Sequence, residues 1–441
     1  MKKNLIENIA ILNTMRNVSF QRRLKNKYIF KLIILNIMQN FKKYFPIFAN
    51  NPGLVFFDSG ASAQKPGYVI DGVKQYLEND YANIHRGSYD LSERSELLYE
   101  DSKKKVADFI NANSRVEISY TYNATYAMNL LATSLARSKQ LVKGDKVLVL
   151  ISEHHANVVP WLILKEEIGI ELDFVMLDDN YEIDFEDFKK KLDDKVKIVS
   201  FAYVSNVTGT IFDLPKVNEI LKKMKNRPLF VIDASQAIQH FKVDVQALDC
   251  DYLVFTGHKI MAEGGIGVLY GKKELLKELR PSFSGGGSIN WVKKDSFQDA
   301  GLPSKFEMGT PNLNGAVSLL KALEFIESIG GYETLTNHEN ELVAYFLEKF
   351  KKYEDKIELI GPKDEKNRVG VFSIKIKGMN QGDVSDFMSE HNICVRAGHH
   401  CAEPFMTEYP KTATCRVSLY IYNDKEDIDK FFIALDELLN R

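Results

Sequence analysis

Short apolar runs of strand character alternate with helical patterns across the first half of this chain, and that alternation limits its fold more than any other feature. Strand-like segments run from Val116 to Tyr120, Lys146 to Leu150, Glu171 to Leu177, Lys197 to Tyr203, Leu229 to Asp233 and Asp251 to Thr256. Between them lie helical patterns at about Thr125 to Arg137, Val158 to Glu167, Phe185 to Leu192 and Leu214 to Met224. Helical crossovers join parallel strands and cover both faces of the sheet they build. The spacing therefore predicts an α/β fold around a mostly parallel sheet. Ligands in such sheets bind at the C-terminal ends of the strands, so chemistry-bearing residues should fall just after them.

The flanks read differently. A short amphipathic helix is expected from Ile37 to Phe45, stopped by Pro46, and a strand from Leu54 to Phe57 ends in DSGASAQKP. Beyond Gly309 a long helical stretch (Asn314 to Ser328, then His338 to Tyr353) precedes a small α+β unit. That unit carries strands at Val369 to Ile376 and Ile393 to Arg396 and a closing helix from Lys425 to Leu439. At 441 residues two packed lobes are expected. The expected division is a basic extension at 1–34, a segment at 35–57 packing with the small domain, a large domain at 58–324 and a small domain at 325–441.

Charge is unevenly spread. Residues 1–44 hold ten Lys and Arg against Glu7 alone, so a net −2 for the whole chain leaves −11 for the remainder, which argues against a nucleic-acid-binding body. The basic leader leaves three readings open: an organellar transit peptide, a disordered arm, or upstream sequence if translation begins at Met38. Four cysteines in so long a chain make no disulfide framework, and no C-x-x-C metal spacing occurs, which suits a reducing compartment. No apolar run approaches the roughly 20 residues that a membrane span needs.

The chemistry concentrates at strand ends. DYLVFTGHK (Asp251 to Lys259) sets Lys259 just past a buried strand and beside His258. Burying an ammonium is costly and lowers its pKa, which suits an imine-forming lysine. LFVIDASQ (Leu229 to Gln236) delivers Asp233 to the end of another strand. A strand-end carboxylate followed by a strand-end lysine is what a pyridoxal phosphate site requires: the acid keeps the pyridine nitrogen protonated and the lysine forms the Schiff base. An alternative is that Asp233 merely caps a helix.

Asn123-Ala124-Thr125 lies between strand and helix, where backbone N–H groups and the dipole favour a phosphate, although Thr125 alone also reads as an N-cap. Thr256 and His258 could add donors. In EHHAN (Glu153 to Asn157) adjacent histidines point apart, so a shared metal is not expected, and one of them is free to stack on a flat ring. RAGHHCAEP (Arg396 to Pro404) places Cys401 in a loop where protonated His399 and His400 would lend positive character to a thiolate. Cys250, Cys394 and Cys415 sit in apolar strand contexts and read as structural. Arg416 could grip a carboxylate through two bonds.

These motifs (DSGASAQKP, NIHRG, EHHANVVPW, SNVTGT, VIDASQA, FTGHK, GGGS, KFEMGTPN and RAGHHCAEP) resemble, in order, those of cysteine desulfurases of the class V branch of fold-type I pyridoxal-phosphate enzymes, over about residues 36–441. The RxGHHCAxP stretch is similar to the SufS-like subgroup (group II). The resemblance implies a large domain with a seven-stranded, mostly parallel sheet, and pyridoxal 5′-phosphate as cofactor. Lys259 would be the Schiff-base lysine, Asp233 the partner of the pyridine nitrogen and Gln236 that of the phenolic oxygen. His155 would stack on the ring. Ala124, Thr125, Thr256 and His258 would bind phosphate, with Thr310 reaching in from the second subunit of a homodimer. Asn206, Arg396 and Arg416 would hold the substrate carboxylate, and Cys401 would take the sulfur.

The implied reaction converts L-cysteine to L-alanine and leaves a persulfide on Cys401. An acceptor protein of SufE or SufU type would collect it for iron–sulfur cluster assembly. A cytoplasmic enzyme is expected, or an organellar one if the leader is a transit peptide; no metal, nucleic acid or membrane is implied. Selenocysteine lyase and a non-catalytic pyridoxal-phosphate-binding scaffold are the alternatives. The sequence departs from the family at Asn123-Ala124-Thr125-Tyr126-Ala127, where Gly-Thr-Thr-Glu-Gly is usual, and at Met261-Ala262-Glu263, where Tyr-Gly-Pro is usual.

Overall fold

The computed structural model describes residues 40–410 and 412–441; the expected extension at 1–34 lies outside the described residues. Fifteen strands occur among them, in chain order β1 (Val55–Phe56), β2 (Ile118–Thr121), β3 (Lys146–Leu150), β4 (Glu171–Val175), β5 (Val196–Ala202), β6 (Leu229–Asp233), β7 (Tyr252–Thr256), β8 (Gly267–Gly271), β9 (Ile289–Val292), β10 (Phe297–Asp299), β11 (Ile357–Ile360), β12 (Val371–Ile376), β13 (Ile393–Cys394), β14 (Arg396–Gly398) and β15 (Thr414–Ser418). Seven form one sheet in the order β2-β8-β7-β6-β5-β3-β4. β7, β6, β5, β3 and β4 run parallel to one another, and β8 alone runs against its neighbours β2 and β7. This is the mostly parallel α/β sheet that the alternation predicts.

The strands read as unbroken apolar runs because helices cover both faces. Met128, Leu131 and Leu135 of the helix Ala124–Arg137 pack with Trp161 on Val147, Val231 and Val254 of the sheet. Each such fully buried side chain contributes about 1.5–3 kcal/mol. A second, four-stranded antiparallel sheet has the order β11-β12-β15-β14. Its core is aromatic: Phe346 of the helix Gly331–Phe350 stacks on Phe372 with ring centroids 3.9 Å apart, and Phe431 of the closing helix Lys425–Leu439 joins them.

Two local expectations need correction. Pro46 opens a helix, Pro46–Asn50, where it was expected to stop one. Proline suits the first helical position because that N–H has no intrahelical partner and its φ is already helical. The segment Ile393 to Arg396 is two strands, not one: β13 pairs with β1, and after Val395 the chain switches to β14 beside β15. After Lys259, the glycine-rich apolar run Glu263 to Tyr270 leads into β8, the seventh strand of the main sheet. Gly267 is needed there, since a Cβ would come within 2.6 Å of the Asn123 backbone.

Candidate active site

A cavity of about 290 Å³ opens at the C-terminal ends of the main-sheet strands. β6 delivers Asp233, whose Oδ1 accepts from the Ser235 N–H at 2.8 Å. β7 delivers Thr256 and then a 3-10 turn, Gly257–Lys259, which presents His258 and Lys259. Burial pulls the Lys259 ammonium down to about 8, with Arg416 pushing the same way and Asp233 and Cys401 opposing. Burial, with Lys259 and Lys65 nearby, lowers His258 to about 4, so it stays neutral. Gln236 lines the same wall, where its Nε2 donates to the Gly60 carbonyl at 2.9 Å and its Oε1 accepts from Gln239.

Opposite stands the start of the helix Ala124–Arg137. The Asn123 side chain caps it by accepting from the Tyr126 N–H at 2.8 Å. Ala124 and Thr125 line the cavity, and their N–H groups fall in the first turn, where no intrahelical carbonyl can accept from them. The capping role read for Thr125 thus belongs to Asn123.

The two adjacent histidines face apart as expected, but the one expected at the cofactor, His155, is not the one at the cavity. His154 lines the cavity, and His155 does not. The His154 Nδ1 accepts from the Ala156 N–H at 3.0 Å and caps the turn His155–Asn157, which holds the ring inward. Burial, Lys259 and His155 lower His154 to about 3. His155, one residue on, turns outward; its Nε2 lies 2.5 Å from Glu403 Oε2, and its N–H donates to the Cys401 carbonyl at 2.8 Å. Sequence reasoning also missed Glu153, which anchors this turn. Its fully buried carboxyl accepts from the Ala202 N–H at 2.6 Å and from Asn157 Nδ2 at 2.9 Å, and burial raises it to about 8.

The third wall comes from the C-terminal sheet and the loop after β14. Arg416 on β15 is buried; its Nη1 donates to the Asn206 carbonyl at 3.0 Å, and its Nε has no partner. Burial is the largest cause lowering it to about 10. Asn206 Nδ2 donates to the His400 carbonyl at 2.7 Å, tying this loop to the segment after β5. His400 and Cys401 both adopt left-handed backbone, φ 55° and 56°, which costs a non-glycine residue energy and holds the loop in an unusual shape.

The expected positive character of His400 is corrected. Burial, with Arg416 and Arg396 nearby, drives it down to about 3, so the charge beside Cys401 comes from the guanidiniums. Among the four cysteines only Cys401 is exposed, and it lines the cavity. Burial pushes the thiols of Cys250, Cys394 and Cys415 up, the last to about 12. Arg396 lines the cavity too. Thr310 does not; it is exposed on the loop before the helix Leu313–Ser328. Among the described residues no helix is long and apolar enough to cross a membrane.

The family described as Aminotransferase class-V matches residues 55–431. A probable cysteine desulfurase of Synechocystis is 38% identical over 408 residues, covering 92% of this chain and 96% of that one. The apo structure of a cysteine desulfurase from Thermococcus onnurineus superimposes with a TM-score of 0.85 at 34% identity, covering 90% of this chain and 97% of that one. The cysteine desulfurase CsdA of Escherichia coli, an S-sulfonic acid form, gives 0.80 at 30% identity over 91% and 98%.

Proposed function

The chain belongs to the class-V aminotransferase family, and from that premise we propose that it is a pyridoxal-phosphate-dependent cysteine desulfurase. The observation that carries the reading is one cavity shared by Lys259, Arg416 and the only exposed cysteine, Cys401. The residues present fit the cofactor. Thr256 Oγ1 and Ser235 Oγ are buried without a hydrogen-bond partner, and such hydroxyls are costly unless a ligand satisfies them. Together with the open helix start at Ala124 and Thr125 they would hold a phosphate. Asp233 would face the pyridine nitrogen, Lys259 would attach the aldehyde carbon, His258 and Gln236 would donate at the edges, and the neutral His154 ring, rather than His155, would lie on the cofactor. When bound, the cofactor supplies an electron sink for the substrate's Cα.

The protein's own groups do the rest. Arg416 takes the L-cysteine carboxylate, with Asn206 beside it. Lys259 Nζ, held near neutrality by burial, removes the Cα proton. Cys401 Sγ, as thiolate, bonds to the substrate sulfur while the Cβ–S bond breaks, and the bond's electron pair stays with the carbon skeleton. Protonation of that skeleton gives L-alanine, and Cys401 is left as a persulfide. The same proposal includes a homodimer, in which exposed Thr310 reaches the partner's cofactor. It also includes a SufE- or SufU-type acceptor feeding iron–sulfur assembly in the cytoplasm. Incubating loaded protein with L-cysteine and a thiol reductant should give equal amounts of alanine and sulfide; absence of alanine would overturn the reading.

Arg416→Lys should raise KM for L-cysteine by about tenfold to a hundredfold and leave the bound cofactor in place. Lysine keeps the charge but loses the two-point planar grip, a loss of about 1.5–3 kcal/mol. Steady-state kinetics with an absorbance check of cofactor content decides it, and an unaltered KM would return Arg416 to a structural role.

A further inference from the structure

Two adjacent non-glycine residues in left-handed backbone, His400 at φ 55° and Cys401 at φ 56°, strain the cysteine loop. Such a shape persists only where the surroundings hold it. The His400 end has buried anchors: Asn206 Nδ2 donates to its carbonyl at 2.7 Å, and its Nε2 lies 2.9 Å from Thr414 Oγ1. The far end is held after the helix Glu403–Glu408. There Tyr409 Oη donates to the Leu177 carbonyl and accepts from the Leu177 N–H, both at 2.8 Å. Between these ends the loop is tied to His155. The His155 N–H donates to the Cys401 carbonyl at 2.8 Å, and its ring Nε2 lies 2.5 Å from Glu403 Oε2. The ring has a partner in either tautomer. With a proton on Nε2 it donates to the carboxylate, and without one it accepts from the Glu403 N–H at 3.3 Å. His399 Nδ1 lies 3.5 Å from the other carboxylate oxygen, so Glu403 links both sides of Cys401 to the turn His155–Asn157. Glu403 stands at the position that the RxGHHCAxP pattern leaves open.

We propose that Glu403 is a positioning residue for Cys401: by clasping the His155 ring it keeps the cysteine loop closed against the turn that His154 caps. The inference rests on the sulfur-accepting role given to Cys401 above. The His155 and Glu403 side chains are 36% and 53% exposed, so the clasp is screened by solvent and contributes the modest amount of a surface ion pair. The anchors at His400 are buried, and the one on the Cys401 carbonyl is backbone. The clasp is therefore the contact that one side-chain substitution releases without opening the core. Glu403 does not itself line the cavity; it acts through the loop that carries Cys401.

The test is hydrogen exchange of the cofactor-loaded protein, read by mass spectrometry over residues 399–409. Glu403→Ala should accelerate exchange there by about threefold to fivefold, the factor an exposed ion pair supplies, and leave the peptide spanning β11 and β12 unchanged. Glu403→Gln should stay within about twofold of wild type, since an amide still hydrogen-bonds an imidazole. His155→Ala should match Glu403→Ala, and the double variant should go no further, because all three lose the same contact. Unchanged exchange in Glu403→Ala, equal acceleration in Glu403→Gln, or additive effects in the double variant would overturn the clasp. Single-turnover formation of alanine at saturating L-cysteine should slow by about twofold or more in Glu403→Ala and recover in Glu403→Gln. Affinity for L-cysteine should hold in both, because Arg416 and Lys259 are untouched. Faster exchange beside an unaltered rate overturns the positioning role. Absence of alanine from wild type would instead remove the desulfurase reading, and the exchange measurements would still decide the clasp.

Discussion

Replacing Lys259 by alanine is expected to abolish turnover, by about a thousandfold or more, together with the covalent hold on the cofactor. Among the described residues Lys259 is the one lysine that lines the cavity with Asp233 and Arg416, just past the end of β7. Burial lowers it from the ordinary 10.5 to about 8, and Arg416 adds to that against the pull of Asp233 and Cys401. The sign follows directly: the neutral amine, which is the nucleophilic form, increases as pH rises through about 8. Cofactor capture by the stripped protein should therefore accelerate between pH 7 and 9 and level off above. A solvated lysine would go on gaining past pH 10. The visible absorbance of the lysine-linked cofactor follows capture, and borohydride reduction before denaturing gel filtration shows whether the link is covalent. An unchanged band in Lys259→Ala would remove the assignment.

What the sequence disclosed of this site, and what it hid, follows from the range of each interaction. Asp233 and Lys259 were legible because an apolar strand can end in only a few ways, and both residues terminate buried runs. The seventh strand was harder to read: Gly267 serves a close approach to Asn123, a contact between residues far apart in sequence. The histidine pair failed by one position because local pattern cannot say which of two neighbours faces inward. That depends on His154 capping its own turn and on Glu153 bonding to β5. Likewise a histidine beside a cysteine looks basic on paper, and burial against Arg416 makes His400 neutral.

The helices Gly67–Asn79 and Asp90–Phe109 were not read from the sequence. Tyr68, Ile70, Leu77 and Leu97 stand exposed on them beside a buried face that includes Val69, Val73 and Tyr76 of the first. The opposed Arg396 and Arg416 were invisible for another reason. Register between strands is a tertiary property, and only the pairing of β14 with β15 reveals that Asp58 has two guanidiniums to neutralise.

Cys401→Ser is expected to cut sulfide release by about a thousandfold or more while L-cysteine still binds. Binding should persist because Arg416 and Lys259, the groups that would receive the carboxylate and the amine, are untouched. The loss should be severe because a serine hydroxyl has neither the thiolate's nucleophilicity nor a way to carry a second sulfur. The loop geometry makes Cys401 the sole candidate. It is exposed at the cavity, it is held there by the His155 N–H on its carbonyl, and a thiolate at this point faces Arg416 and Lys259. Cys250 and Cys415 are sealed in the core, and Cys394 is half-buried with its thiol pushed up by burial. Mass spectrometry after L-cysteine treatment should find the extra sulfur on the peptide containing Cys401 and on none of the other three. Selenocysteine breakdown should be less affected, since selenium is the better leaving group and needs less help from a nucleophile. Sulfide release by the serine variant at the wild-type rate would sink the persulfide route and leave a lyase, in which the substrate sulfur departs unaided, as the reading to adopt.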